Sequence, residues 1–186
     1  MLQIIIQGRG GQGAQTAGNL LAMAFHAEGR QVQSFASYGG ARRGTPVSSY
    51  IRVADRPIRV RCDIERADAI LCFDASLLAG PLLATAGPET LIVVNSARTP
   101  AQFAADLPGR RVIPVDGLSI SRRHGLGRIV NSALLGGFAR AIAACVEKRK
   151  GGRQGPARGR PSGGHRLEPA GAHVLHVGPL VLPVRQ

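Results

Sequence analysis

The chain has 186 residues, 44% of them hydrophobic, and a formal net charge of +13. This apolar fraction can build a core, so a wholly disordered chain is excluded, and the length suits about one domain. Aromatics make up only 4% and Trp is absent, which leaves the core to Ala, Leu, Ile and Val.

Cys62, Cys72 and Cys145 are widely separated, with no C-x-x-C pair. That spacing excludes a disulfide scaffold, a cysteine-rich zinc site and an iron–sulfur cluster held by this chain alone. The start, Met1-Leu2-Gln3-Ile4-Ile5-Ile6-Gln7, lacks the charged region of a signal peptide, and no stretch approaches a membrane span. A soluble cytoplasmic chain is expected.

Residues 1–145 hold 16 Arg against 9 acidic residues, whereas residues 146–186 hold 8 Lys/Arg against 2. A basic excess attracts nucleic acid, acidic proteins or anionic substrates. Nucleic acid is the weaker reading. No RNP, KH, zinc-finger or helix-turn-helix pattern accompanies the charge, and 2 Tyr and 5 Phe offer few stacking platforms.

In chain order, residues 2–7 form a short β-branched strand that breaks into Gly8-Arg9-Gly10-Gly11-Gln12-Gly13. A helix follows, with Ala14, Ala17, Leu21 and Ala24 at spacings of three and four, ending at Gly29. Val32–Ala36 reads as the next strand, so the chain opens as a parallel α/β sheet. After a Gly- and Arg-rich loop, Val47, Ser49, Ile51 and Val53 alternate with Ser48, Tyr50 and Arg52, predicting a half-buried strand. A turn at Ala54–Pro57 and renewed alternation over Ile58–Arg61 suggest an antiparallel hairpin.

Continuous apolar runs at Ala69–Phe73, Leu91–Val94 and Val112–Val115 predict strands covered on both faces. Ala75–Ala86 reads as a helix interrupted at Gly80-Pro81, and Asn131 can cap a last helix with a Leu134/Leu135, Phe138, Ala141/Ile142 and Cys145 stripe. The expected fold is therefore α/β: a three-layer Rossmann-like domain over residues 1–145 with a mixed, mainly parallel sheet. In residues 146–186, 22 of 41 are Gly, Ala, Arg or Pro, and no periodicity survives. This segment reads as a disordered basic tail. The bias to 22 Arg over 2 Lys suggests GC-rich coding DNA, from which a shifted reading frame would also yield such a composition.

Gly8-x-Gly10-x-x-Gly13 lies after a strand and before a helix, where glycines permit a tight turn and helix N–H groups favour an anion. A dinucleotide reading also wants an acid at the end of the second strand, and Val32–Ser37 offers none. NAD is therefore disfavoured. Arg42 and Arg43 could meet the 2′-phosphate of NADP, which keeps a free-standing NADP-binding reductase as the alternative. A glycine turn needed for packing alone is the plain reading.

Taken together, several motifs resemble the gamma subunit of 2-oxoacid:ferredoxin oxidoreductases. They are Gly8–Ala14, Ala17-Gly18, Glu28-Gly29, Tyr38-Gly39, Arg42-Arg43-Gly44-x-Pro46-Val47, Asp55-x-Pro57-Ile58-Arg59, Phe73-Asp74, Ile92–Asn95 and Ile129–Gly136. The Arg42-Arg43-Gly44 form is most similar to the pyruvate or branched-chain 2-oxoacid enzymes. The resemblance implies one subunit of an enzyme that converts a 2-oxoacid and coenzyme A to acyl-CoA, carbon dioxide and reduced ferredoxin. It further implies alpha, beta and delta-type partner subunits that carry thiamine diphosphate, Mg and 4Fe-4S clusters, with ferredoxin as electron acceptor. The family usually continues with a charged amphipathic helix where this chain has its tail.

No catalytic residue is expected in this chain alone, since G-x-S-x-G, H-E-x-x-H and S-x-x-K are absent. The candidate cofactor-binding or interface residues are Gly8, Gly10, Gly11, Gln12, Gly13, Arg42, Arg43 and Gly44. The two guanidinium forks suit a phosphate or a carboxylate. Asp74 can meet a ligand or cap the following helix, Asn131 reads as a cap, and His26 as a surface or packing residue. Cys72 and Cys145 read as small core residues.

Overall fold

The computed structural model describes residues 1–39 and 44–151, with side chains to residue 144. Of the tail expected over residues 146–186, everything from residue 152 onward, with its possible frameshift origin, lies outside the described residues, as does the side chain of Cys145. Six strands, β1 (Leu2–Arg9), β2 (Gln31–Tyr38), β3 (Pro46–Ala54), β4 (Ala67–Cys72), β5 (Ala86–Asn95) and β6 (Arg111–Val115), form one sheet. Its order is β2-β3-β1-β4-β5-β6. The helices are α1 (Ala14–Ala27), α2 (Gly80–Ala84), α3 (Pro100–Asp106), α4 (Gly117–Arg123) and α5 (Asn131–Gly151). Thus α5 continues beyond the expected boundary at residue 145.

The two-residue period of a strand sends neighbouring side chains to opposite faces. Ile4 and Ile6 join Ala17 and Leu21 of α1 and Leu134, Phe138 and Ile142 of α5 in one buried cluster. Ile5 lies in the other cluster, with Leu78, Leu82 of α2 and Phe103 of α3. Runs such as Leu91-Ile92-Val93-Val94, every residue of which is fully buried, are apolar throughout because helices cover both faces. The expected three-layer α/β architecture is therefore present. Pro114 fits because β6 is an edge strand with one side free of ladder bonds.

β1, β4, β5 and β6 are parallel, and β3 alone runs antiparallel, pairing with β1 on one side and β2 on the other. The sheet is mixed and mainly parallel, as expected, but β2 is not beside β1. With both edges of β3 occupied, Ile58–Arg61 cannot form the expected hairpin partner. The segment crosses the sheet without strand structure and is held by side chains instead. The Arg52 Nη2 donates to Cys62 O at 2.7 Å and Asp63 O at 3.1 Å, and Gln33 Nε2 donates to Val60 O at 2.7 Å.

This strap also corrects the expectation of a half-buried β3. Arg52 is only 1% exposed, its charge satisfied by carbonyl oxygens and by Gln33 and Gln3. Polar residues in alternation do not mark a solvent face when another segment supplies acceptors. The expected helix over Ala75–Ala86 divides, as Gly80-Pro81 suggests, into a 3-10 turn at Ala75–Leu77 and the short α2. α3 and α4 were not expected, although Thr99 and Gln102 form a capping box that opens α3.

Helix α1 packs tightly on β3 at Gly18. A Cβ there would stand 2.0 Å from Ser49 Oγ and 2.8 Å from Ser49 Cβ, so only glycine fits. On an exposed helix Gly→Ala stabilises by about 1 kcal/mol. Here overpacking reverses the sign, and Gly18→Ala is expected to destabilise by about 3 kcal/mol in urea unfolding. The Oγ of Ser49 is buried without a hydrogen-bond partner. Ser49→Ala is therefore expected to leave stability unchanged or raise it by about 1 kcal/mol in the same measurement.

Candidate functional site at the carboxyl edge of the sheet

The connection from β1 enters α1 and leads to β2 on one side of the sheet, while β4 lies on the other side of β1. Ligands of open α/β sheets bind where the connections diverge in this way, outside the strands' carboxyl ends. Gly8 and Arg9 finish β1 at this point, and Gly10–Gly13 turn the chain into α1. Two glycines adopt positive φ, Gly11 at 94° and Gly13 at 82°. Gly8 is needed for room, because a Cβ would lie 3.1 Å from both Phe73 Cβ and Gln12 Oε1.

Gln12 closes the loop on itself. Its Oε1 accepts from the Arg9 backbone N–H at 2.7 Å, and its own N–H donates to Arg9 O at 3.0 Å. Gly13 is the N-cap of α1 and contributes no side-chain cap, so the first turn presents backbone N–H groups alone. Register then brings the second loop alongside. Arg9 pairs with Pro46, so β3 begins opposite the end of β1. The Gly10 N–H donates to Thr45 O at 3.0 Å, and Arg9 Nη1 donates to Gly44 O at 3.1 Å. Of the eight candidate residues, the structure brings Gly8, Gly10, Gly11, Gln12, Gly13 and Gly44 together. Arg42 and Arg43 lie outside the described residues.

Sequence reasoning passed over Arg9, which spans the divergence point. Its Nε donates to Asp74 Oδ2 at 2.6 Å and its Nη2 to Ser76 Oγ at 2.8 Å. Asp74 also accepts from the Ser76 N–H at 3.0 Å, which makes it the cap of the 3-10 turn, one of the two roles expected for it. Partial burial opposes its ionisation, but the hydrogen bonds from Ser76 and Arg9 outweigh this and hold its carboxyl below the usual value. The signal was Arg9 itself, a cation at the last position of β1, facing the acid that follows β4.

Two asparagines complete this edge. Asn95, ending β5, donates from Nδ2 to Phe73 O at 3.2 Å and accepts at Oδ1 from the Gly117 N–H at 3.1 Å. Asn131 covers one first-turn donor, its Oδ1 accepting the Ser132 N–H at 2.8 Å, but it does so from inside α5 rather than from the N-cap position. The Leu134 N–H bonds to Val130 O, so Val130 occupies the capping position and Asn131 is the first helical residue. Its carboxamide reaches the glycine loop, with Nδ2 standing 2.9 Å from where a Gly13 Cβ would be. The N-termini of α1 and α5 thus meet at Gly13.

The strand order removes what the dinucleotide reading requires. With β3 inserted, the end of β2 stands two strand spacings, about 10 Å, from the glycine loop, where a ribose contact expects the adjacent strand. The described residues also do not fit an iron–sulfur cluster. Cys72 is buried, donates to Asp74 O at 3.0 Å, and has its thiol pushed up to about 11, first by burial. Cys62 stands alone on the strap, and no group of three metal-ligating side chains occurs among the described residues. No described helix is long and apolar enough to cross a membrane.

Arg9→Met is expected to lower stability by about 1 kcal/mol at neutral pH, the scale of a half-exposed ion pair with hydrogen bonds. Because the folded-state pKa of Asp74 is lowered, the unfolded chain binds the extra proton as pH falls. The pair's contribution is complete above the ordinary value of 3.8 and is lost as pH drops through the lowered one. Denaturant midpoints of Arg9→Met and the unsubstituted chain should therefore converge in acid.

Comparison with known proteins gives a consistent result. Residues 3–150 match the pyruvate ferredoxin/flavodoxin oxidoreductase family. A pyruvate/ketoisovalerate oxidoreductases common subunit gamma from Thermococcus kodakarensis is 38% identical over 146 residues, covering 76% of this chain and 78% of that protein. The pyruvate synthase subunit PorC of Methanosarcina barkeri is 35% identical over 142 residues, covering 76% and 78%. The crystal structure of the Thermotoga maritima pyruvate oxidoreductase subunit PORC superposes with a TM-score of 0.67 at 26% identity, covering 83% of this chain and 86% of that one. The glycine-loop α/β domain described above belongs to the pyruvate ferredoxin/flavodoxin oxidoreductase family.

Proposed function

We propose that the chain serves as the gamma subunit of a 2-oxoacid:ferredoxin oxidoreductase acting on pyruvate or a branched-chain 2-oxoacid. The overall reaction joins the acyl group of the 2-oxoacid to coenzyme A, releases carbon dioxide and passes two electrons to ferredoxin. Alpha, beta and delta-type partner subunits would hold thiamine diphosphate, Mg and the 4Fe-4S clusters, and no electron-transfer step is assigned to this chain. Family membership supports this reading, as do relatives named as gamma subunits for pyruvate and ketoisovalerate.

The observation that carries a role for the site is the fusion of two loops. The glycine loop and Gly44-Thr45 are joined by the Gly10–Thr45 hydrogen bond, so they form one surface at the sheet's carboxyl edge. Arg42 and Arg43 immediately precede Gly44 in sequence. In this reading, Gly8, Gly10 and Gln12 close and shape the loop, Gly11 and Gly13 with the first turn of α1 supply backbone donors, and the two arginines supply charge. Together they dock a phosphate of coenzyme A or a carboxylate of the subunit that holds thiamine diphosphate.

The tagged full chain, purified anaerobically from its host, is expected to bring larger subunits with it. The eluate should reduce a viologen dye with pyruvate or a branched-chain 2-oxoacid only when coenzyme A is present. A solitary, inactive chain would contradict the proposal. Arg42→Ala with Arg43→Ala is expected to raise the KM for coenzyme A or weaken assembly by about ten-fold or more, the scale of a lost charged hydrogen bond. Unchanged values of both would remove the loop's assigned role.

A further inference from the structure

We infer that the loop between α4 and α5 is a docking surface for an acidic, partly apolar face of a partner subunit. The inference rests on the gamma-subunit reading and extends it to a part of the chain that the candidate site does not include. Every residue from Arg122 to Ile129 is exposed. Within these eight positions stand Arg122, Arg123, His124 and Arg128, with no acidic residue among them. None of the three arginines forms a salt bridge with another described residue. Asp116 feels Arg122 and Arg123 at a distance but already accepts the Ser119 N–H at 2.9 Å as the cap of α4.

Among these charges, Leu126 is 45% exposed and Ile129 is 59% exposed, whereas the other aliphatic side chains among the described residues mostly lie in the core. Cations at the end of a helix favour its dipole, which accounts for Arg122 and Arg123. It accounts for neither Arg128 nor the two aliphatic side chains. The loop is also fixed in shape. Ser121 is fully buried, its Oγ donating to Ile129 O at 2.7 Å, while its own carbonyl accepts the Leu126 N–H at 2.8 Å. A pre-ordered loop loses little conformational freedom on binding.

Charge complementarity selects an acidic partner, and the apolar pair selects a protein face over a bare polyanion. A phosphate backbone would meet the arginines but leave Leu126 and Ile129 without contacts, and the loop has no Phe, Tyr or Trp to stack a base. The arginines ring two anchors that a shallow apolar pocket can cover. Their position, between α4 and the start of α5, lets a subunit seated there lie beside Asn131 and the glycine loop.

The test uses the full chain and the other subunits of its host's 2-oxoacid oxidoreductase, assembled anaerobically, with affinity measured over a range of salt. Arg122→Gln, Arg123→Gln and Arg128→Gln together should weaken assembly by about ten-fold or more and flatten its salt dependence. Leu126→Ser with Ile129→Ser should weaken assembly by a similar factor and keep the salt dependence. Melting temperatures of the free variants separate these effects from unfolding. If an exposed substitution lowers stability, Leu126→Met with Ile129→Met should restore assembly.

Variants that assemble as the unsubstituted chain does would overturn the inference and leave the gamma-subunit reading standing. Failure of the unsubstituted chain to assemble would overturn both. Loss in the arginine variant alone, matched by its loss of duplex DNA binding, would overturn the inference in favour of a nucleic acid.

Discussion

The insertion of β3 between β1 and β2 is the constraint on which the rest of the molecule depends. An antiparallel strand beside β1 must begin where β1 ends, so Pro46 stands opposite Arg9 and the preceding Gly44 and Thr45 are delivered to the glycine loop. The same insertion consumes both edges of β3 and leaves the following segment to be held by Arg52 and Gln33. It also places Ser49 directly under α1, where only Gly18 permits the approach. One change of strand order thus sets the close helix packing, the strap and the neighbours of the candidate site.

That site differs in kind from a dinucleotide crevice. The divergence point between β1 and β4 is bridged by Arg9 and Asp74, with Ser76 and the Gly44 carbonyl completing the guanidinium's partners. In the proposed reading a ligand or partner seats on the loops above this bridge. The surface there is made of Gly11 and Gly13, the meeting N-termini of α1 and α5, and Gly44-Thr45 ahead of β3. In that proposed reading this arrangement holds an anion in place and leaves bond-breaking chemistry to other subunits. Such a division of labour fits a chain that belongs to an oxidoreductase family.

Much of this was legible in the sequence, and the failures have physical causes. Leu91–Val94 announced a strand buried on both faces, Ile4-Ile5-Ile6 a β-branched strand, and Gly8–Gly13 a tight turn into a helix. Strand order was not legible, because alternation reports which face a side chain takes and not which strand lies alongside. Arg52 misled for a related reason: its alternating position read as solvent, whereas carbonyls of a distant segment bury it. Asn131 was read by its local capping habit, and its Oδ1 does accept the Ser132 N–H, but its place beside Gly13, more than a hundred residues away, could not be read from the sequence. The pairing of Arg9 with Asp74 was equally remote in sequence. The two residues become neighbours only because β1 and β4 are adjacent.

The most direct measurement is hydrogen–deuterium exchange of the full chain, free and in the anaerobic complex, before and after coenzyme A is added. The account predicts that amides of the glycine loop, of Gly44 and Thr45 and of the first turn of α1 gain protection together, because one surface unites them. Protection confined to the strap and the edge of β2, with the glycine loop exchanging as in the free chain, would contradict it.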